Sequence, residues 1–206
     1  MRDITRIDTV VLAAGSSSRL GVNKLLLKVD EEPVLRRTLR NFLGLQMGVV
    51  FVITGFERDR IEGLLRDLPV ATVYNGSYAE GMSASVKAAL PLLGEADAVF
   101  FHLGDKPFVQ RETLQQMIDA FAQTRHSIVM PIFKGQKGHP VLIDVKPYLA
   151  EMRTLEGDTA LRPIIERHSQ DILYVEGDEG IILDLDTDED IDLLRGRGYK
   201  IEKGEG

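Results

Sequence analysis

The order of elements predicts an α/β protein: a three-layer sandwich in which a mostly parallel sheet carries helices on both faces. Three observations point there. Short apolar runs of strand length alternate with longer stretches whose apolar residues recur at i, i+3, i+4 and i+7. The first run, Val10-Val11-Leu12-Ala13, is apolar throughout, as a strand covered on both faces must be. Most polar, glycine-bearing clusters come directly after such runs, which would set them along the carboxyl edge of a parallel sheet, where ligands bind.

After the first run, Lys24-Leu25-Leu26-Leu27 leads to Pro33, a good first-turn residue, and a helical stripe follows at Leu35, Leu39, Phe42 and Leu43. Gly48–Thr54 is a second buried strand. The next helix carries Ile61, Leu64, Leu65 and Leu68 and ends at Pro69. Val70–Tyr74 is a third strand, followed by a helix with Val86, Ala89, Leu90 and Leu93. Ala98–Leu103 is a fourth strand, Leu114, Met117, Ile118 and Phe121 mark a helix, and Ser127–Pro131 is a fifth strand. Near the end, Ile181–Leu185 reads as a strand and Ile191 with Leu194 as the last helix. The tail after Gly198 looks loose. These stripes are core and carry no function of their own.

A chain of 206 residues buries one sizeable core, so a single domain over residues 1–206 is expected. The net charge of −7, with no basic stripe, argues against a nucleic-acid or acidic-membrane surface. The absence of cysteine removes disulfides, a thiol nucleophile and zinc–thiolate sites. The opening MRDITRID is too short and charged for a signal peptide and no run reaches membrane-spanning length, so the cytoplasm is the expected compartment.

The stretch Thr9–Lys24, TVVLAAGSSSRLGVNK, passes from strand into a loop with Gly15, Ser16, Ser17, Ser18, Arg19, Gly21 and Lys24. Glycine lets backbone N–H groups approach an anion, serine adds donors, and Arg and Lys neutralise charge, so the loop suits a phosphate. An ordinary strand-to-helix turn with solvated cations is the competing reading. Five residues between Gly15 and Gly21 exclude a Walker A loop, and no G-x-G-x-x-G is present. The third strand ends in Asn75-Gly76, followed by Glu80-Gly81-Met82-Ser83-Ala84-Ser85, a helix start whose free N–H groups face the same edge or are simply capped by Ser83. The fourth ends in His102-Leu103-Gly104-Asp105-Lys106-Pro107, where Asp105 suits an Mg²⁺ ligand or an unremarkable turn. In Asp184-Leu185-Asp186-Thr187-Asp188-Glu189-Asp190, strand alternation puts Asp184 and Asp186 on one face, and Asp188 or Thr187 caps the last helix. Gly135–Pro140 and Gly157–Arg162 are polar loops in the less regular second half.

Together these stretches resemble the molybdenum cofactor nucleotidyltransferases, most closely the cytidylyltransferase branch (MocA-like proteins) of the MobA-like enzymes. Leu12–Lys24 is similar to that family's L-A-A-G-x-S-x-R-x-G-x-x-K. Asn75 with Gly81, Met82 and Ser85 resembles N…G-M-x-x-S, Gly104-Asp105-x-Pro107 resembles G-D-x-P, and Gly138-His139-Pro140 resembles G-H-P. Gly157-Asp158…Arg162 resembles G-D-x-G-x-R, and Asp184–Asp190 resembles D-x-D-T-x-E-D. The resemblance spans residues 12 to 190, with its motifs in order. It departs at Lys106, where relatives more often carry Met or Gln, at Ala160, which replaces a frequent Gly, and at Leu20, a conservative exchange for Met.

The resemblance implies a Rossmann-like sandwich of the nucleotide-diphospho-sugar transferase type, with a nucleotide-binding part at about 8–110 and a pterin-binding, metal-completing part at about 111–198. It implies that the terminal phosphate of molybdopterin attacks the α-phosphorus of CTP, giving the pterin cytosine dinucleotide and pyrophosphate with Mg²⁺ as cofactor. By that resemblance Leu12, Ala13 and Ala14 belong to the nucleotide site, and Gly15–Ser18 with Arg19 hold the β- and γ-phosphates. Lys24 acts at the α-phosphate, and Lys24, Arg19 and Asp105 are the catalytic candidates. Asp105 and Asp186 hold the metal, and Asn75, Gly81, Met82 and Ser85 line the base and ribose pocket. Gly138, His139, Pro140, Gly157, Asp158 and Arg162 shape the pterin side, with Arg162 as a partner for the pterin phosphate and His139 without a firm role. A molybdoenzyme or its chaperone would receive the product. Guanylyl transfer is the nearest rival, but that branch typically reads L-A-G-G, and the methyl of Ala14 favours the smaller pyrimidine. Sugar-1-phosphate nucleotidyltransferases and a non-catalytic cofactor-delivery module are further alternatives. A dinucleotide-dependent oxidoreductase lacks its glycine fingerprint.

Overall fold

Ile7–Ala13, seven residues buried almost throughout, form the central strand β1 of a computed structural model that describes residues 4–16 and 20–202. A short 3₁₀ turn at Lys24–Leu26 leads to β2 (Lys28–Val29), β3 (Glu32–Pro33) and helix α1 (Val34–Leu43), with Pro33 at its N-cap. Then come β4 (Val50–Thr54), α2 (Arg58–Leu65), β5 (Ala71–Tyr74), α3 (Met82–Ala89), β6 (Ala98–Leu103) and α4 (Arg111–Gln123). The second half holds β7 (Ile128–Phe133), β8 (Gln136–Lys137), β9 (Val141–Ile143), α5 (Leu149–Arg153) and α6 (Arg162–Arg167). β10 (Ile172–Glu176), α7 (Asp188–Gly196) and β11 (Ile201–Glu202) complete it.

Among the described residues the main sheet has eight strands, ordered β10-β7-β9-β6-β1-β4-β5 with β8 paired to β7. The pairs of β1 with β4 and β6, of β4 with β5, and of β7 with β10 are parallel, as the alternation of elements requires. β9 lies antiparallel between β6 and β7. Strand alternation then divides the core. Val11, Val52 and Phe100 pack with Leu39 of α1, Ile61 of α2 and Met117 of α4 on one face. Val10, Ile53 and Phe101 pack with Val86 of α3, Met152 of α5 and Ile164 of α6 on the other. The result is the expected three-layer sandwich. No helix among the described residues is long and apolar enough to cross a membrane.

A third cluster stands apart. Leu27 and Val29, Val34 and Phe108 meet Leu185, Ile191, Leu194 and Ile201, and Leu20 joins them from the far end of the Gly15 loop. β11 closes it by pairing antiparallel with β2. The tail is therefore ordered as far as residue 202.

Two expectations are corrected here. Ile181–Leu185 is not a strand: Glu179–Ile181 is a 3₁₀ turn capped by the Asp178 carboxylate, which accepts from Gly180 N at 2.7 Å. That local side-chain bond competes with extension, so the alternation argument for Asp184 and Asp186 does not apply. Ser83 is not the cap of α3, whose N-cap is Gly81; the Ser83 hydroxyl donates to the Glu156 carbonyl instead, at 3.1 Å. At α7, where Asp188 or Thr187 is expected to cap, the cap is Thr187, in a reciprocal box with Asp190.

Two buried histidines lie under this edge. His102, 1% exposed, donates from Nε2 to the Lys106 carbonyl at 2.9 Å, and its ring lies 6.2 Å from that of His139. Burial, then the neighbouring His139, lowers the pKa of His102 from 6.5 to about 3. Burial, then Lys106, lowers that of His139 to about 4. Both are neutral in the folded protein at pH 7, whereas the unfolded chain takes up protons near 6.5. Their contribution is thus fully present above pH 6.5 and is lost as pH falls toward 4, at up to about 1.4 kcal/mol per pH unit for each group. Denaturant unfolding between pH 7 and 5 should show stability falling with acid, and His102→Gln should flatten the slope. An unchanged slope in that variant would clear His102 of the effect.

Candidate active site

The chain leaves β1, builds β4 and β5 on one side, and returns to place β6 on the other. The loops after β1 and β6 therefore diverge, and the crevice between them is where such sheets bind ligands. A cleft of about 740 Å³ opens there, lined by Leu12, Ala13, Ala14, Gly15 and Ser16 on the β1 side. Leu20, Leu25 and Leu103 complete its apolar wall. Ser17, Ser18 and Arg19 fall outside the described residues.

Lys24 stands at the centre. Asn23 caps the turn that carries it, its side chain accepting from Leu25 N at 3.2 Å. The Lys24 ammonium is ion-paired to Asp105 Oδ2 and to Asp186 Oδ1. Burial opposes its charge and is the largest single influence, but Asp105 and Asp186 together outweigh it and raise its pKa above the usual lysine value.

Each carboxylate is positioned by backbone. The turn bearing Asp105 is tied down by Gly104 N to the Leu12 carbonyl (2.9 Å), by the buried Thr38 hydroxyl to the Gly104 carbonyl (2.9 Å), and by His102. Asp186 follows buried Leu185, and its N–H and that of Thr187 both donate to Asp190, each at 2.9 Å. Asp184 turns elsewhere, to Lys106 Nζ at 2.5 Å. The like-charge repulsion expected between Asp105 and Asp186 is thus answered in this structure by Lys24. Because both carboxylates reach one ammonium, their hard oxygens converge on one point. That donor set fits an Mg²⁺-type ion, which takes one or two carboxylates and completes its shell with phosphate and water. Among the described residues no group of three or more His, Cys, Asp and Glu is arranged for a metal, so such an ion would depend on substrate oxygens.

Across the cleft, Gly81, Met82 and Ser85 line the wall at the start of α3. Asn75 is buried behind them: its amide donates to Ser85 Oγ at 3.1 Å and its carbonyl accepts from Ser77 N at 3.0 Å. Tyr78, Ala79 and Glu80 also line the cleft, on a 3₁₀ turn. The sequence passes over Tyr78 and Ala79, and takes Glu80 only as part of a helix start, because the turn lies between matched positions and has no hydrophobic period.

The second-half motifs are divided. Asp158 lines the cleft and accepts from Met82 N at 3.1 Å. Gly157 lies against Gly81, where a Cβ on residue 81 would come within 2.5 Å of the Gly157 carbonyl carbon. Gly138, His139 and Pro140 do not line the cleft. They brace the 179–181 turn, with His139 N donating to the Ile181 carbonyl at 3.2 Å, and a Cβ on Gly138 would meet that oxygen at 2.5 Å. Arg162 is exposed at the start of α6, also off the lining.

Known proteins share the sequence pattern and the fold of this chain. Residues 9–172 match the model of the MobA-like NTP transferase domain. The chain is 28% identical to the molybdenum cofactor cytidylyltransferase of Escherichia coli, over 96% of this chain and 100% of that one. It is 32% identical to a 2-C-methyl-D-erythritol 4-phosphate cytidylyltransferase of Geobacillus thermodenitrificans, over 56% of this chain and 53% of that one. The crystal structure of Rv0371C of Mycobacterium tuberculosis in complex with manganese superposes with a TM-score of 0.77 at 25% identity, covering 92% of this chain and 98% of that one.

The loop beside Asp158 carries strain. Ala160, where the sequence motif expects Gly, adopts φ 45° and ψ −125°, a region that penalises a Cβ. The backbone thus keeps a glycine-like path despite the alanine. Ala160→Gly should relieve more strain than it adds chain entropy, raising stability by about 1 kcal/mol in chemical denaturation. A destabilised variant would show that the alanine is at ease there.

Proposed function

The chain belongs to the MobA-like NTP transferase family, and from that premise we propose that this nucleotidyltransferase passes CMP from CTP to the terminal phosphate of molybdopterin. The observation that carries the reading is the convergence of Lys24, Asp105 and Asp186 at the switch point beside the Gly15 loop. Full-length similarity to a molybdenum cofactor cytidylyltransferase supports the acceptor, and Ala14, buried at the cleft and lining it, supports a pyrimidine.

A pterin phosphate oxygen attacks the α-phosphorus, the bond to the β-phosphate oxygen breaks, and pyrophosphate leaves. Such a displacement needs positioning and charge neutralisation more than covalent help. Gly15–Ser18 and Arg19 hold the β- and γ-phosphates. Lys24 turns its ammonium from the carboxylates to the α-phosphate, where charge develops. Asp105 and Asp186, so released, would hold a divalent cation, Mg²⁺ in the proposal, whose bound form supplies neutralisation at the phosphate oxygens. Asn75 fixes Ser85 in the base and ribose pocket with Gly81 and Met82. Gly138, His139 and Pro140 would serve the pterin side indirectly, by setting the 179–181 turn, and Arg162 would meet the pterin phosphate. In this division residues 8–110 hold the nucleotide and 111–198 the pterin and the second carboxylate. A cytoplasmic molybdoenzyme or its chaperone would take the product.

The deciding assay offers molybdopterin and Mg²⁺ with CTP, GTP, ATP or UTP in turn, and scores pyrophosphate and the pterin dinucleotide. CTP should lead; equal turnover with GTP would remove the cytidylyl assignment, and turnover only with sugar phosphates or methylerythritol phosphate would replace the acceptor. Asp105→Asn and Asp186→Asn should each lower kcat by on the order of 10²-fold, with the double variant little worse because the two share one ion.

Arg19→Ala should chiefly raise KM for the nucleotide. Lys24→Ala should lower kcat while leaving Mn²⁺ binding, read by electron paramagnetic resonance, intact or tighter. Loss of Mn²⁺ binding in Lys24→Ala would contradict the exchange of ammonium for metal.

A further inference from the structure

The cleft carries charge in two places. In one, Lys24 is ion-paired to Asp105 and Asp186 beside the Gly15 loop; in the other, Glu80 and Asp158 present carboxylates, which only accept hydrogen bonds. Asp158 comes from the second half of the chain, yet it is fastened to the nucleotide half. Its Oδ1 takes the Met82 N–H, the neighbouring Gly157 lies on Gly81, and Ser83 Oγ holds the Glu156 carbonyl and stands 3.3 Å from the Thr159 hydroxyl. These contacts hold the Asp158 carboxylate in the cleft lining beside Gly81, Met82 and Ser85. One oxygen bond to a backbone N–H leaves most of its acceptor capacity unused. A triphosphate is repelled by these carboxylates, whereas a vicinal diol offers two O–H donors to one carboxylate.

We infer that Asp158 is the specificity residue for the ribose of the nucleotide, accepting hydrogen bonds from its 2′- and 3′-hydroxyls. The inference rests on the nucleotidyltransferase reading above and moves Asp158 from the pterin side to the nucleoside side. Glu80 and Asp158 repel phosphate, which favours entry of the nucleotide with its ribose toward Asp158 and its phosphates toward the Gly15 loop. Asp158 is exposed in the free protein, and a nucleotide that covers it without offering the hydroxyls strips water from its acceptor and returns no hydrogen bond, so the analogue binds less well.

The test compares CTP with 2′-deoxy-CTP and 2′,3′-dideoxy-CTP, both by Mg²⁺-dependent thermal stabilisation and by kcat/KM with molybdopterin. The wild type should favour CTP over the dideoxy form by roughly 10- to 100-fold. Asp158→Asn keeps an acceptor for Met82 N and so keeps the loop. It should lose most of the preference, by weakening CTP while sparing the dideoxy analogue, with the unfolding temperature unchanged. A wild type that treats the analogues alike overturns the inference without any variant. So does an Asp158→Asn protein that keeps its preference, or one whose KM rises for molybdopterin alone, which would return Asp158 to the pterin. If no nucleoside triphosphate stabilises the wild type, the nucleotidyltransferase reading itself fails; stabilisation that ignores the ribose sinks only the role of Asp158.

Discussion

The ion pairing of Lys24 with Asp105 and Asp186 is the constraint around which the molecule is arranged. Two carboxylates from opposite halves of the chain would repel at this distance if they faced one another alone. One ammonium holds both, and its side chain is only 20% exposed, so solvent screens the pair weakly. To bring the three charges together, the protein commits the β1–β6 switch point, the Thr38 and His102 bonds under Gly104, and the Thr187–Asp190 box before α7. Both carboxylate-bearing loops are thus tied down through their backbone.

Much of this was legible in the amino-acid sequence, for identifiable reasons. Val10–Ala13, Gly48–Thr54 and Ala98–Leu103 are apolar runs long enough to declare buried parallel strands, and their polar sequels had to lie on one edge. Lys24, Asp105, Gly81 and Ser85 follow from that rule and do line one cleft. β9 escaped notice because three residues are too few to show a period, and β10 because Ile172–Glu176 mixes apolar and polar residues at a sheet edge. Ile181–Leu185 looked like a strand because its apolar residues suit one, and the side chain of Asp178 decided otherwise.

The side-chain partnerships were the least accessible part. Spacing alone cannot say that Asp184 goes to Lys106 while Asp186 goes to Lys24, since that depends on how the turn after Gly180 unwinds. Nor does the G-H-P stretch advertise that it braces a turn instead of facing ligand; that follows from the closeness of Gly138 to the Ile181 carbonyl. Ala160 is the converse case, a residue whose mismatch with its loop was visible in the sequence and whose backbone then proved to be strained.

The pairing of β11 with β2 has a consequence for how the protein comes into being. A ribosome delivers Lys24 first, then Asp105, and Asp186 only 81 residues after that. The segment that carries Asp186 is anchored by Leu185, Ile191, Leu194 and Ile201, which pack against Leu20, Leu27, Val29, Val34 and Phe108. The central sheet can therefore mature while the third charge of the cluster is still absent, and a nascent chain carries a lysine matched to a single aspartate. The three-charge cluster is complete only when β11 zips onto β2, so competence for chemistry waits on a segment that lies outside the central sheet.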